Sequence, residues 1–151
     1  MAGGESDSIR ARALRLLARR EHSARELAAK LAARGHGEGE IAEVIGELAR
    51  EGLQSDARFA EAYVFQRVGR GYGPLKIREE LRERGIDAEL IDACLREAET
   101  DWQALLAEVR RKRFGPKVPD DFAEQARQAR FLQSRGFPLS DIRRLLRDVD
   151  A

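Results

Sequence analysis

The chain contains little of what disulfide scaffolds, zinc proteins and nucleophilic enzymes depend on. Cys94 is the only cysteine among 151 residues, so no disulfide can form within the chain. The two histidines, His22 and His36, have no cysteines at zinc-ligand spacing beside them. Cys94 lies at an apolar position of a helical pattern, and we predict that it packs in the core. We therefore expect a protein that is not an enzyme, with no catalytic residue, metal or cofactor.

Long apolar runs are absent as well. No window approaches the roughly eighteen consecutive apolar residues that a membrane span needs. Residues 1–8 also lack the basic and apolar regions of a secretory signal. These absences lead us to expect a cytoplasmic protein without membrane contact.

Aromatic residues are scarce, at 6%, whereas charged residues reach 36% and alanine, leucine, arginine and glutamate dominate. Such a composition favours amphipathic helices. Apolar residues recur at helical spacing, as in Ile41, Val44, Ile45 and Leu48, and no stretch alternates as a strand would. We predict an all-α fold in which most of the few aromatic side chains serve as core anchors.

An Arg-Gly pair recurs along the chain at intervals of about fifty residues. A leucine precedes each glycine by four positions, and an isoleucine follows it by six. Glycine tolerates the left-handed conformation that ends many helices, so each pair predicts a turn between two packed helices. This spacing indicates a structural repeat. The three pairs are Arg34-Gly35, Arg84-Gly85 and Arg135-Gly136.

Three tandem three-helix repeats follow, with boundaries at residues 8–53, 54–99 and 100–151. Neighbouring repeats of this kind stack in a line, so we expect an elongated, curved array. Ser23 with Glu26 and Thr100 with Gln103 are predicted capping boxes, and Pro74 is predicted to begin a helix. The predicted helices cover residues 8–20, 24–34, 38–51, 56–69, 74–84, 87–98, 101–113, 121–135 and 139–148.

Charge alternates in blocks although the formal net charge is only +1. Residues 8–36 hold eight basic and two acidic side chains, whereas residues 37–66 hold two basic and seven acidic ones. Paired helix faces and partner-binding surfaces both produce such blocks. Glutamates at helical spacing form a stripe opposite the apolar face, which we interpret as solvated rather than as a catalytic or metal site: Glu40, Glu43, Glu47 and Glu51.

Two basic segments are candidates for binding a partner or DNA. One surrounds the glycine-rich turn at residues 69–74, which lacks the preceding strand and the Gly-Lys-Ser/Thr ending of a nucleotide-binding loop. The other is the run at residues 110–113. Cations and an aromatic ring beside a helix start can hold phosphate or an acidic surface, although solubility and helix-end compensation are alternative roles. The candidates are Arg67, Arg70, Tyr72, Lys76, Arg78, Arg82, Arg110, Arg111, Lys112 and Arg113.

The second repeat carries the most specific motif of the chain. It reads Asp-Ala-Arg-Phe-Ala-Glu-Ala-Tyr from Asp56, then Gly-Tyr-Gly-Pro from Gly71, then Lys-Ile-Arg-Glu-Glu-Leu-Arg-Glu-Arg-Gly-Ile from Lys76. This string resembles the central region of the RecX family of bacterial regulatory proteins. Residues 13–23 are similar to the opening helix and turn of that family, and residues 129–137 are similar to its closing unit.

The resemblance implies a modulator of the RecA recombinase that binds the RecA–DNA filament and usually restrains its recombination, ATPase and coprotease activities. The implied partners are the RecA filament and the single-stranded DNA within it, with weak binding of free DNA as a further possibility. We expect a monomer. The resemblance also implies tandem three-helix units, which the repeat predicts independently.

Other functions remain open from the residues themselves. The main alternative is a stand-alone DNA-binding module of helix-turn-helix type, since three-helix units with a basic second helix suit that role. The acidic blocks argue against DNA binding as the sole function. An unidentified enzyme would need a recognisable polar site, and an adaptor without nucleic-acid contact would tolerate neutralisation of the basic segments.

Overall fold

The computed structural model describes residues 2–148, with side chains described from residue 9 to residue 147. Within that range the chain forms nine α-helices and no β-strand, which confirms the predicted all-α class. The helices are α1 Ala2–Arg19, α2 Ala24–Ala33, α3 Glu38–Arg50, α4 Asp56–Gly69, α5 Pro74–Glu83, α6 Ala88–Glu97, α7 Trp102–Phe114, α8 Phe122–Ser134 and α9 Leu139–Asp148.

The helix starts follow local capping chemistry. Ser23 and Glu26 form the predicted capping box, and α5 begins at Pro74 as predicted. The second predicted box is wrong: Asp101, not Thr100, accepts from the backbone N–H of Ala104 and starts α7. The helix α1 begins at Ala2 instead of near residue 8. Its first turns are rich in glycine and serine, which have low helix propensity, so the sequence pattern did not reveal the extension.

The three Arg-Gly pairs end α2, α5 and α8 as predicted. Gly35, Gly85 and Gly136 have φ values of +88°, +82° and +97°, which lie in the left-handed region. In each turn the N–H of the residue after the glycine donates to the carbonyl of the repeat leucine: Leu31, Leu81 or Leu132. This arrangement is the Schellman motif, and it satisfies carbonyls that the end of a helix leaves unpaired.

Each terminal three-helix group has its own apolar core. In the first group the repeat leucine Leu31 and the repeat isoleucine Ile41 pack with Leu27 and Leu48. In the last group Leu132 and Ile142 pack with Phe137. Burying each such side chain contributes about 1.5–3 kcal/mol relative to exposing it. The equivalent positions of the repeat therefore build equivalent cores.

Packing divides the chain into two compact units. The first unit comprises the chain up to Ala62 together with Leu81–Ile91, and the second comprises Tyr63–Glu80 together with the chain from Asp92 onward. The repeat boundaries at 8–53, 54–99 and 100–151 stay a prediction. None of the described helices combines the length and apolarity of a membrane-spanning segment.

The glycine turns also form close contacts within each unit. In the first unit a Cβ on Gly85 would lie 2.8 Å from Cβ of Arg25, near the start of α2. In the second unit a Cβ on Gly136 would overlap the backbone and Cβ of Lys76, near the start of α5. The turn after the second helix of one repeat thus rests on the second helix of the preceding repeat in both units. Glycine is needed there for close approach as well as for φ.

The aromatic and cysteine predictions have mixed outcomes. Cys94 is buried, as predicted, and Phe59 and Phe137 are core residues. Phe65 and Phe122 are 83% and 82% exposed, so these two aromatic residues are not core anchors. Both lie on helices whose opposite faces carry the buried residues, and helical position rather than residue type decides the burial.

Candidate functional site

The two predicted basic segments meet in one groove of the second unit, which we call the Arg70 groove. The turn at Gly69, Arg70 and Gly71 forms one wall, and the second half of α7 forms the other. The enclosed space is about 500 Å³. Its lining contains four cations and one carboxylate, and it therefore favours an anionic ligand. The charged lining residues are Arg70, Lys112, Arg113, Arg135 and Glu108.

Arginines and aromatic rings alternate beside and along this groove. The guanidinium carbons of Arg67 and Arg135 lie 3.9 and 4.8 Å from the ring centre of Tyr72. Arg135 also lies 5.3 Å from the Phe131 ring, over which Arg113 sits at 4.8 Å. Cation–π contact orients a guanidinium without neutralising it. Arg113 and Arg135 are thereby positioned while keeping their charge available.

The backbone of the turn is part of the same arrangement. Arg135 donates from Nη1 to the carbonyl of Arg70 at 3.2 Å, and the N–H of Gly73 donates to the carbonyl of Arg135 at 2.8 Å. A Cβ at Gly73 would lie 2.5 Å from the carbonyl oxygen of Gly136, so only glycine fits there. These contacts tie the glycine-rich turn to the end of α8 and hold the wall of the Arg70 groove in place.

Two other candidate cations near the glycine-rich turn have carboxylate partners, and a third lies beside a ring. Arg67 is largely buried and donates to both carboxylate oxygens of Glu80, at 3.0 and 2.6 Å. Arg78 pairs with Asp92. Lys76 lies 6.0 Å from the Tyr72 ring centre and is half-buried. These three side chains support the turn more than they present charge to a ligand. Arg82 is exposed near the end of α5, outside the lining of the Arg70 groove.

The run at residues 110–113 divides into one structural and three surface cations. Arg110 is 4% exposed, and its guanidinium donates to the carbonyls of Gly115 and Lys117 and to the side chain of Gln128. Burial lowers the pKa of Arg110 without discharging it. We therefore leave Arg110 out of the candidate surface. Arg111, Lys112 and Arg113 are exposed.

Glu108 is the single carboxylate in the lining, and it pairs with Lys112 one turn away at 2.9 Å. The hydrogen bond from Lys112 and the charge of that side chain lower the pKa of Glu108, so the carboxylate stays ionised near neutral pH. Both side chains are well exposed, and pairs of this kind contribute little to stability. An incoming phosphate could therefore compete with Glu108 for Lys112.

Phe131 and Arg135 are groove residues that the sequence pattern missed as site residues. Phe131 has the apolar spacing of a core residue, and Arg135 belongs to the Arg-Gly repeat that ends a helix. The signal that could have indicated Arg135 is its first-repeat equivalent, Arg34, which is likewise an arginine at a helix end, although Arg34 is exposed and Arg135 is half-buried. Position in the repeat alone did not distinguish an arginine that only ends a helix from one that also lines a groove.

The described residues offer no constellation for metal chemistry. No group of three or more His, Cys, Asp or Glu side chains among them could hold a metal ion. Cys94 is buried, and His22 is 1% exposed. The chemistry available in the Arg70 groove is recognition of phosphate or carboxylate by positioned guanidinium groups, on whose planes a nucleic-acid base can also stack.

Comparison with known proteins assigns the chain to a family. The sequence model of the first three-helix domain of RecX matches residues 10–48. The models of the second and third three-helix domains of RecX match residues 55–95 and 99–146. The chain belongs to the RecX family. This membership confirms the resemblance carried by the central motif and accounts for the three-helix repeat.

Regulatory RecX proteins match along nearly their whole length. The regulatory protein RecX of Halorhodospira halophila (strain DSM 244 / SL1) is 53% identical over 142 residues, covering 94% of this chain and 88% of that protein. That of Pseudomonas entomophila (strain L48) is 46% identical over 143 residues, covering 95% and 92%. The crystal structure of RecX from Lactobacillus salivarius has the same fold, with a TM-score of 0.78, 24% identity and 98% coverage of both chains.

Proposed function

We propose that this RecX-family chain regulates the RecA recombinase by binding the RecA–DNA filament and restraining its recombination, ATPase and coprotease activities. The proposed action is binding without catalysis. The observation that carries the proposal is the Arg70 groove, where two basic segments distant in sequence line one surface with four cations against Glu108. The proposed ligand of this groove is the anionic surface of the filament, formed by DNA phosphates or by acidic side chains of RecA.

Regulation without chemistry requires different affinities for two states of the filament. A protein that binds one filament geometry more tightly shifts the population of filaments toward that geometry. The free energy difference between the two geometries changes by at most the difference between their binding free energies. Cations held by rings and backbone, such as Arg113 and Arg135, suit this role because their geometry is fixed before binding. The proposed groove would thus discriminate between filament geometries through the spacing of the anionic groups.

The proposal is tested by neutralising the Arg70 groove and measuring RecA ATPase and strand exchange on single-stranded DNA. The triple variant Arg70→Ala, Lys112→Ala and Arg113→Ala removes three exposed cations of the lining. We expect the concentration that half-suppresses ATPase to rise roughly tenfold or more, since each exposed ionic contact contributes up to about 1 kcal/mol. The fold should persist because none of the three side chains is buried.

A matched control removes the same charge elsewhere in the second unit. Arg96→Ala, Lys117→Ala and Arg144→Ala change three exposed cations that lie outside the lining of the Arg70 groove. We expect half-suppression close to that of the unaltered chain. Equal effects of the two triple variants, or the absence of any RecA suppression by the unaltered chain, would contradict the proposal.

A stand-alone DNA-binding module is the alternative candidate. Guanidinium groups stacked on Tyr72 and Phe131 favour it, because single-stranded nucleic acids bind surfaces that combine cations with stacking planes. This alternative requires tight, salt-sensitive binding to the same DNA without RecA. The two quantities to compare are the protein concentration that suppresses RecA ATPase and the concentration that coats free DNA. If suppression requires at least the coating concentration, the stand-alone DNA-binding module is preferred to a filament-directed regulator.

A further inference from the structure

A second basic cleft lies within the first unit, between α1 and α2, and the sequence analysis did not single it out. Its volume is about 490 Å³, and its lining contains five cations. Leu16, Leu31 and Ala33 complete the lining, so the residues described around this cleft include no carboxylate and no aromatic ring. The five cations, which define what we call the Arg15 cleft, are Arg12, Arg15, Arg19, Lys30 and Arg34.

Two of these cations are positioned by histidines. The ammonium group of Lys30 lies 2.8 Å from Nε2 of His22, and Nη1 of Arg12 lies 3.3 Å from Nε2 of His36. Lysine and arginine can only donate, so each Nε2 is the acceptor, and the His22 ring is neutral in this arrangement. Nδ1 of His22 then donates to the carbonyl of Arg20 at 3.1 Å. Burial lowers the pKa of His22, which favours the same neutral ring. The two cations are oriented without being neutralised.

Four other cations of the first unit are paired with carboxylates. Arg10 reaches Glu51 at 2.7 Å, Arg58 reaches Glu21 at 3.0 Å, and Arg20 and Arg84 both reach Glu26. Within the described part of the chain, no ion pair involves the five cations of the Arg15 cleft. Glu21, Glu26 and Glu51 are thus engaged at other sites, and the positive charge of the cleft is left for a ligand.

The spacing within the cleft suits an extended polyanion. Arg12, Arg15 and Arg19 follow one another at three and four residues along α1, which places them on one face over about 10 Å. Lys30 on α2 and Arg34 just after its last residue are four residues apart and face the same space. A single phosphate cannot contact two such rows over that length, whereas successive phosphates of a strand can.

We propose that the Arg15 cleft binds the phosphate backbone of a nucleic-acid strand without reading its bases. Arginine predominates, and its planar fork matches phosphate oxygens. The lack of aromatic lining removes the stacking contacts through which bases are held. An acidic protein surface fits less well, because the lining lacks the aromatic anchors that contribute much of the binding energy at protein interfaces. The site is distinct from the Arg70 groove and requires neither RecA nor the proposed regulatory role.

The test is binding of a labelled oligo(dT) to the full chain, without RecA, over a series of salt concentrations. The variant Arg15→Ala with Arg19→Ala removes two exposed cations of the cleft that have no described side-chain partner. We expect weaker binding, and a slope of log K against log salt that is shallower by about 1.4, since each phosphate contact to a single strand contributes about 0.7. An oligo(dA) of equal length should behave in the same way.

A charge-matched control separates the cleft from general electrostatics. Arg25→Ala with Arg50→Ala removes two exposed cations of the first unit outside the lining. This control should retain the slope of the unaltered chain. The proposal is overturned if the chain does not bind oligo(dT), if both double variants change the slope equally, or if a poly-glutamate peptide of matched charge binds the cleft as tightly as the oligonucleotide. RecA suppression is measured separately, so failure here leaves the proposed function standing.

Discussion

Arg110 holds the loop between α7 and α8 in the second unit. Its guanidinium donates to the carbonyls of Gly115 and Lys117, beyond the end of α7, and to Gln128 on α8. The connection from α7 to α8 contains glycine and prolines and has no helix of its own, so its carbonyls need a donor from elsewhere. A buried arginine, with five donors in one plane, can supply several of these bonds at once.

Replacement of Arg110 should therefore reduce stability. We expect Arg110→Ala to lower the free energy of unfolding by about 2–4 kcal/mol, because three acceptors lose their donor and a cavity remains. The neighbouring Arg111→Ala, which changes an exposed side chain, should shift it by no more than about 0.5 kcal/mol. Urea unfolding of the two variants measures the difference. Similar values for both would show that the loop is held by other contacts.

The Arg-Gly turn has two roles, and its three copies separate them. All three glycines adopt positive φ and end a helix. A Cβ at Gly35 would meet nothing within 4 Å, whereas one at Gly136 would overlap the backbone of Lys76. The first copy needs glycine for φ alone. The third copy needs it also because two elements of successive repeats touch there.

Alanine substitution should show the difference between the two copies. Gly35→Ala should cost about 1–2 kcal/mol, the strain of a left-handed residue with a side chain. Gly136→Ala has the same strain and adds an overlap that forces backbone movement, for which we expect a further loss of about 1–3 kcal/mol. Denaturant midpoints of the two variants test this. Equal losses would mean that the contact with α5 relaxes at no cost.

Element boundaries depend on short-range chemistry, and most of them were predictable for that reason. Helical periodicity, Pro74 and the capping box at Ser23 each act within a few residues. The start of α7 was mispredicted because Thr100 and Asp101 are adjacent and both can cap a helix. Selecting between them depends on how Trp102 and the rest of α7 pack, which local preferences do not specify.

Across the whole molecule, a formal net charge of +1 conceals a strongly uneven distribution. The Arg15 cleft collects five cations in the first unit, and the Arg70 groove collects four cations and Glu108 in the second. The acidic stripe of α3 is exposed at Glu40 and Glu43, as predicted, while Glu47 and Glu51 pair with Arg10. Local fields, rather than net charge, therefore govern encounters with a polyanion.

We accordingly expect the proposed suppression of RecA to weaken steeply with salt, although the chain is nearly neutral overall. Ionic contacts to phosphates release counterions, and the affinity falls with salt in proportion to their number. The measurement is the concentration of this chain that half-suppresses RecA ATPase, determined at several salt concentrations. At each salt concentration the ATPase rate is normalised to the rate of RecA without this chain. A salt-independent value would indicate that apolar contacts dominate the interaction.

The sequence by itself determined the nine helices found among residues 2–148, the Arg-Gly turns, the repeat and the family, because these depend on propensities and spacings within one stretch of chain. Only the tertiary structure decided which cations are available to a ligand. Arg110 and Arg113 are alike in sequence, yet one is buried and the other lines a groove. Burial and ion pairing depend on packing between residues far apart in the chain, which no local pattern encodes.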